Sequence, residues 1–374
     1  MRAESVPLEQ LWYSSPPRWL RGLAWLYALG WRAYAGIYQW GLKQRAQMPV
    51  PVIGIGSLWA GGVSKTPVTI ATVRLLQETG VRVAVLTHGY GGSCYRTGTL
   101  IDPAQDPDPA EVGDEAAEIR LALPDTPIAV GKWRVRMAQA ALNRWSPDAL
   151  VLDDGFQHLS LARTLDLVLL PADSPLGNGY CLPAGPLREP PEGLKRASGV
   201  VWVDSGSPHS RTLSHRIGKE SRMFSRSRPV GEGGTGGENH PNSLSSYTAS
   251  ITPTMLLRLA TGEHLPLGTL QGQSLVLLCG IARPQRFLQT ADALGYTIAE
   301  ALAFPDHHTY TPDDLRRLAG KTVLTTLKDA VKLRGRLPND CDAYALLIEA
   351  RLDDALRHRV LSLFTGTPTS SREY

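Results

Sequence analysis

Cysteine is scarce and scattered: Cys94, Cys181, Cys279 and Cys341 stand far apart, with no C-x-x-C pair and no Cys/His cluster at zinc spacing. This argues against a disulfide framework or a structural zinc site and fits a reducing cytosol. Long apolar runs are also missing. In the most aromatic stretch, Arg21 and Arg32 leave an uncharged run only from Gly22 to Trp31, well short of the ~20 residues that a spanning helix needs. Charge is almost balanced: of 39 Lys+Arg and 35 Asp+Glu, residues 1–45 hold Arg2, Arg18, Arg21, Arg32, Lys43 and Arg45 against Glu4 and Glu9. The rest of the chain is therefore neutral, which argues against a nucleic-acid partner, since that would need basic residues along the folded body. There is no internal repeat of fixed period and no N-K-x-D motif for reading guanine. What is present is a chain of 374 residues, 43% hydrophobic and 20% charged, with the composition of a folded protein and the length of about two domains.

The basic excess lies at the amino terminus. After Pro16 and Pro17, the stretch WLRGLAWLYALGWRAYAGIYQWGLK can form one long helix, and five of the nine tryptophans (12, 19, 25, 31, 40) precede residue 41. At helical spacing Arg18, Arg21, Arg32, Gln39 and Lys43 fall within a sector of about 60°. Aromatic and aliphatic side chains fill most of the remainder. Such a helix suits the membrane interface, with its basic stripe toward anionic headgroups. The alternative is that its wide apolar face packs on the protein's own core. A secretory signal does not fit, because the stretch is too aromatic and leads straight into a strand-like segment.

From residue 49, short apolar runs alternate with helical stretches. Strands are predicted at 49–56, 81–87, 127–130, 149–154 and 165–170, with helices at 66–78, 111–123 and from Trp133. This is the pattern of a parallel sheet covered by helices on both faces. Between about 205 and 250 the chain is rich in Ser, Arg and Gly and reads as a flexible loop. Alternation then resumes, with strands at 274–280, 321–326 and 343–350 and a helix near 284–294. The expected organisation is an amino-terminal helix (1–45), a core domain (46–205), a linker or insertion (206–270) and a smaller α/β domain (271–374).

The strongest chemical signal is GIGSLWAGGVSKTP (54–67), a strand, a Gly-rich turn, Lys65-Thr66 and a helix. Such a loop aims backbone N–H groups and a helix N-terminus at phosphates, while a following Thr can ligate Mg²⁺. It departs from G-x-x-x-x-G-K-[ST], because Trp59 holds the first Gly position and Ser64 the second. An ordinary βα turn is the competing reading. In ALVLDDGFQH (149–158), Asp153 and Asp154 end a predicted strand, where ligands of an open parallel sheet gather; a simple Asp-Asp-Gly turn is the alternative. Asp114 and Glu115 begin a predicted helix and could serve only as caps. Arg188 and Glu189 lie in a Gly/Pro-rich loop, and Asp306, His307 and His308 form a His-carboxylate cluster suited to acid/base work.

In their shared order, the GGVSKTP loop, THGYGG (87–92), VGDEAAEIR (112–120), VGKWRVR (130–136), DDGFQHLSLARTLDLVLL (153–170), GNGYCLPAGPLREP (177–190), GIARPQRF (280–287), AFPDHHTYTPDDL (303–315) and TTLKDAVKL (325–333) resemble the tetraacyldisaccharide 4′-kinase (lipid A 4′-kinase) family. The resemblance covers about residues 48–335. It implies a P-loop kinase of two α/β units with the active site between them. The reaction implied is transfer of the γ-phosphate of Mg-ATP to the 4′-hydroxyl of an acylated glucosamine disaccharide 1-phosphate, at the cytoplasmic face of the inner membrane. On this basis Gly61, Gly62, Val63, Ser64, Lys65 and Thr66 hold the ATP phosphates, and Thr66, Asp153, Asp154 and Glu189 hold Mg²⁺. Glu115, Gln157, His158, Asn178, Arg188 and Glu189 contact substrate or phosphate. Asp114 paired with His307 deprotonates the attacking hydroxyl.

The chain departs from the family pattern at Ser57 (Asn), Val63 (Thr), Ser64 (Gly), His88 (Arg) and Leu327 (Glu). Ser64 matters most: where the loop is left-handed, a non-Gly residue costs about 1–2 kcal/mol. A membrane-attached relative that binds nucleotide or glycolipid without catalysis is therefore the competing expectation. A soluble GTPase would leave the aromatic helix unexplained.

Overall fold

The computed structural model describes residues 15–204 and 244–365. After a first helix, α1 (Arg18–Gln39), the runs of Val, Ile and Leu form β1 (Val52–Ser57), β2 (Val83–Thr87), β3 (Thr99–Ile101), β4 (Ile128–Val130), β5 (Ala149–Asp153) and β6 (Leu165–Pro171). Every residue of β1, β2, β4, β5 and β6 is buried, as expected where helices cover both faces of a parallel sheet. The covering helices are α2 (Lys65–Glu78), the short α3 (Pro109–Val112), α4 (Asp114–Ala122) and α5 (Arg134–Trp145). Strand alternation sorts the core. Ile53, Ile55, Val85 and Val151 pack with Val68, Val73 and Leu76 of α2 on one face. Val52, Leu86, Leu150 and Leu152 meet Met137, Ala138 and Ala141 of α5 on the other.

The remaining elements are β7 (Gly199–Asp204), β8 (Ser245–Arg258), β9 (His264–Leu265), β10 (Ser274–Cys279), α6 (Pro284–Ala293), β11 (Thr297–Ala303), α7 (Pro312–Arg316), β12 (Thr322–Thr326), α8 (Leu327–Leu333), β13 (Asp342–Leu352) and α9 (Asp354–Leu361). One sheet runs in the order β11-β10-β12-β13-β8-β7-β6-β1-β5-β2-β4-β3, with β9 beside β8. Its pairings along this order are parallel except β13 with β8 and β3 with β4. Two further cores flank the second half: Val276, Leu278 and Val323 with Leu315 and Leu333 on one face, and Leu275, Leu277 and Leu324 with Phe287 and Ala291 on the other.

Three expectations change. The linker expected over 206–270 lies outside the described residues as far as 243, but Ser245–Arg258 is a strand. It pairs in parallel with β7 through Ser245–Ser250 and antiparallel with β13 through Ala249–Arg258, joining the two halves of the sheet. Its polar residues hid it, because Ser245, Ser246, Thr248, Ser250, Thr252 and Thr254 interrupt the apolar run. The single helix expected over 111–123 is broken at Gly113, whose φ is +84°. A Cβ there would lie 2.7 Å from the Tyr90 carbonyl oxygen, so only glycine lets α4 start against the 89–92 loop. Finally, α1 stops at Gln39, which leaves Lys43 of the basic stripe beyond the helix.

Helix α1 divides its apolar residues between protein and solvent. Leu20 and Ala24 pack on Ala184 and Tyr180, and the Tyr27 hydroxyl donates to the Arg188 carbonyl oxygen at 2.8 Å. The Arg21 guanidinium lies over the Tyr180 ring, 5.7 Å from its centroid. Trp19, Leu23, Trp25, Leu26, Leu29 and Trp40 remain exposed, with Trp40 at 77%. The core-packing alternative thus holds for one stripe of the helix only. Among the described residues, no helix is long and apolar enough to cross a membrane.

Candidate active site

The β1–α2 loop lies at the carboxyl end of β1, between β5 and β6. The chain leaves β1 toward β5 and β2 on one side and later returns past it to β6 on the other, a switch point where open α/β sheets bind ligands. Gly56 allows the next layer to approach: a Cβ there would lie 2.5 Å from the Phe156 Cβ. The Asp153-Asp154 turn is thereby brought against the loop. Trp59, in place of a glycine, is fully buried. Its indole N–H donates to the Pro175 carbonyl oxygen at 2.7 Å, and the Arg283 guanidinium sits 4.1 Å from its ring centroid. Here a tryptophan pins the loop to the 175–188 segment, and Arg283 contributes from the second half of the sheet.

Lys65 and Thr66 open α2 and meet both aspartates. Lys65 Nζ is 3.3 Å from Asp154 Oδ1, and Arg188 Nη1 is 2.6 Å from Asp154 Oδ2. Burial alone would raise the Asp154 carboxyl, but Lys65 and Arg188 hold it well below the usual carboxylate range. Asp153 accepts from the hydroxyls of Thr66 at 3.3 Å and Thr69 at 2.7 Å. Burial first, then the nearby Glu115 charge, pushes Asp153 up to about 7. Among the described residues no group of three or more His, Cys, Asp or Glu forms a ready metal cage. Carboxylates crowded at such a Lys-Thr loop are of the kind that can hold a Mg²⁺ by one or two protein oxygens together with substrate phosphates.

Across the cleft, Asp114 at the start of α4 meets His307, which follows β11. His307 Nδ1 is 3.0 Å from each Asp114 oxygen. Burial would raise Asp114, but the His307 hydrogen bond and the charges of Lys328 and Lys332 bring it below its ordinary value. A cleft of about 260 Å³ is lined by Gly61, Gly62, Val63, Ser64, Lys65 and Thr66 together with Glu115, Arg188, His307 and Lys328. Among the described residues, three of the five non-Gly residues with positive φ, Ser64, Asp154 and His307, belong to this site. Backbone strain of this kind costs about 1–3 kcal/mol each and gathers where function over-determines geometry.

The other expected residues sit differently. Glu189 is 2% exposed, and its Oε1 accepts from Gln157 at 2.7 Å and from Arg196 at 2.6 Å. Asn178 donates to the Ala184 carbonyl oxygen at 2.8 Å and accepts from the Tyr180 N–H at 3.1 Å, bracing its own loop. His158 lies beside His88, the ring centroids 5.2 Å apart and the planes tilted by 40°. Burial, followed by the Arg134 charge, pushes His158 down to about 3 and His88 to about 4. Arg134 is itself 1% exposed. It donates to the Gly131 carbonyl oxygen at 2.7 Å, while its Nε and Nη2 make no hydrogen bond among the described residues. Neither Arg134 nor Lys328 was singled out from sequence, although both lie inside the quoted VGKWRVR and TTLKDAVKL motifs.

A Lys-Thr loop at a sheet switch point, an aspartate pair beside it and a His-Asp pair opposite define a P-loop phosphotransferase. The family model for tetraacyldisaccharide-1-P 4′-kinase (LpxK) matches residues 17–365. The tetraacyldisaccharide 4′-kinase of Anaeromyxobacter dehalogenans (strain 2CP-C) is 38% identical over 342 residues, covering 87% of this chain and 86% of that protein. That of Shewanella pealeana is 33% identical over 362 residues, covering 95% and 96%. The crystal structure of LpxK from Aquifex aeolicus in complex with ATP superposes with a TM-score of 0.70 at 26% identity, covering 92% of this chain and 98% of that one. The chain belongs to the tetraacyldisaccharide-1-phosphate 4′-kinase family.

Proposed function

We propose that this protein transfers the γ-phosphate of ATP to the 4′-hydroxyl of a tetraacylated glucosamine disaccharide 1-phosphate, working from the cytoplasmic face of the inner membrane. The observation that carries the reading is the cleft itself: Lys65 and Arg188 line it from one side and His307, seated on Asp114, from the other. Residues 61–66 would hold the phosphates through backbone N–H groups, with Lys65 and Arg188 supplying positive charge. Thr66, Asp153 and Asp154 would hold Mg²⁺, which when bound neutralises charge on the phosphate oxygens. Asp114 accepts the proton of the attacking hydroxyl, and His307 orients the carboxylate. Because the His-Asp pair spans two units, chemistry awaits their apposition, which keeps water from the nucleotide. Gln157, Asn178 and Glu189 support the loops behind the site, and the donors left unpaired on Arg134 suit an anionic group beside His158.

The exposed tryptophans of α1 suit the headgroup level of a bilayer, and the docked stripe ties that helix to the loop bearing Arg188. Removal of residues 1–45 should sharply reduce sedimentation with vesicles containing anionic lipid; unchanged binding would assign the exposed face another role. The reaction is tested by following labelled γ-phosphate from Mg-ATP to a tetraacyldisaccharide 1-phosphate in detergent micelles. Product should form with wild type and vanish with Lys65→Ala. Absence of product from both wild type and Ser64→Gly would overturn the kinase reading in favour of a binding role.

A further inference from the structure

Lys328, in the first turn of α8, adds a third charged group to the Asp114–His307 pair. Its Nζ lies 2.8 Å from Asp306 Oδ1, 3.3 Å from His307 Nε2 and 3.9 Å from Asp114 Oδ2. An ammonium has three donors and no acceptor, so its contact with Nε2 is a hydrogen bond only when that nitrogen carries a lone pair. On the other side of the ring, Nδ1 stands 3.0 Å from both Asp114 oxygens. An ionised carboxylate only accepts, so Nδ1 must carry the proton. The two contacts require the same tautomer.

Other groups around the ring do not reverse this. Asp306 Oδ2 is 3.7 Å from Nε2 and would draw a proton there. At that distance it makes no hydrogen bond and is farther than Lys328, while the other oxygen, Oδ1, accepts from Lys328 at 2.8 Å and from the His307 backbone N–H at 3.1 Å. Lys332 is 3.7 Å from Asp114 Oδ2 but pairs with Asp329 Oδ1 at 2.9 Å. The Tyr90 ring meets the imidazole edge to face, with centroids 5.4 Å apart. Burial would lower the Lys328 ammonium, yet Asp114, Asp306 and Glu115 together raise it above its ordinary value, so it stays charged.

We propose that Lys328 is a positioning residue: it donates to His307 Nε2, fixes the ring proton on Nδ1, and so makes His307 a donor to Asp114, keeping that carboxylate ionised and oriented. The effect on rate rests on the kinase reading above, whereas the tautomer does not.

The test uses full-length protein labelled with ¹⁵N at histidine, with two-bond ¹H–¹⁵N correlations of the imidazole rings and His307 assigned by loss of its signals in His307→Gln. Wild type should show Nδ1 protonated and Nε2 bare. Lys328→Met, of similar length without a donor, should give a mixture of tautomers, while Lys328→Arg should keep the wild-type pattern. In the transfer assay Lys328→Met should lose about 10- to 100-fold in kcat, with KM for ATP changed by less than about twofold. Wild type protonated at Nε2, or Lys328→Met with an unchanged tautomer, would overturn the proposal. A raised KM for ATP at unchanged kcat would also do so, making Lys328 a nucleotide contact. Should wild type transfer no phosphate, the kinase reading falls and the spectra alone decide the role of Lys328.

Discussion

Lys65, Asp154 and Arg188 all come from the first half of the sheet, whereas Asp114 meets His307 and Lys328 only because β8 and β13 carry the second half up to α4. The contacts among the first three join the start of α2, the turn after β5 and the loop that carries Arg188, all in the first half of the sheet, although Arg283 reaches Trp59 of the β1–α2 loop from the second half. On the proposed function, the proton-accepting pair Asp114–His307 would instead be built from both halves of the sheet. On that same reading the phosphate loop would be preorganised, while proton transfer would need both halves in place.

The comparison breaks most directly at Asp114. Asp114→Ala should lower the transfer rate by about 10²–10⁴-fold and leave ATP affinity near wild type, since no contact of Asp114 reaches Lys65, Thr66 or Arg188. Single-turnover kinetics beside calorimetric titration of ATP would check both. Loss of ATP binding with the rate would show that the two sides are one structure, and an unaltered rate would remove Asp114 from the chemistry.

The same contrast explains what could be read from the chain. The phosphate loop is local: GGVSKTP places its glycines, Lys65 and Thr66 within a few residues, so a nucleotide loop can be read there beside an ordinary βα turn, and the aspartate pair and the family resemblance favour the first. Asp153 and Asp154 announce themselves at the end of an apolar strand. Asp114 and His307 are 193 residues apart, and each alone reads as a helix cap or a surface turn; only the family resemblance paired them. Lys328 and Arg134 gave no signal because a buried cation is defined by what the fold packs around it. Trp59 looked like damage to the loop and is instead its anchor. Strands β1, β2, β4, β5 and β6 were legible from continuous burial, whereas β8 escaped because a strand joining two half-exposed surfaces carries no clean period.

The smallest effect sharpens the phosphate side. Ser64 sits at φ 50°, ψ 38°, in the left-handed region, and its side chain makes no capping hydrogen bond to α2. Ser64→Gly relieves a backbone cost of about 1–2 kcal/mol. It also loosens the unfolded chain, which takes back about 0.4–1 kcal/mol. Relief wins, because no side-chain hydrogen bond at the cap is forfeited. The variant should be more stable by about 0.5–1 kcal/mol, a rise of only ~1 °C in Tm for a chain this long, read by thermal melting of the two proteins side by side. A fall in Tm would mean that the serine makes contacts worth more than its strain, and the departure from glycine would then be an adaptation of this loop and not a cost it carries.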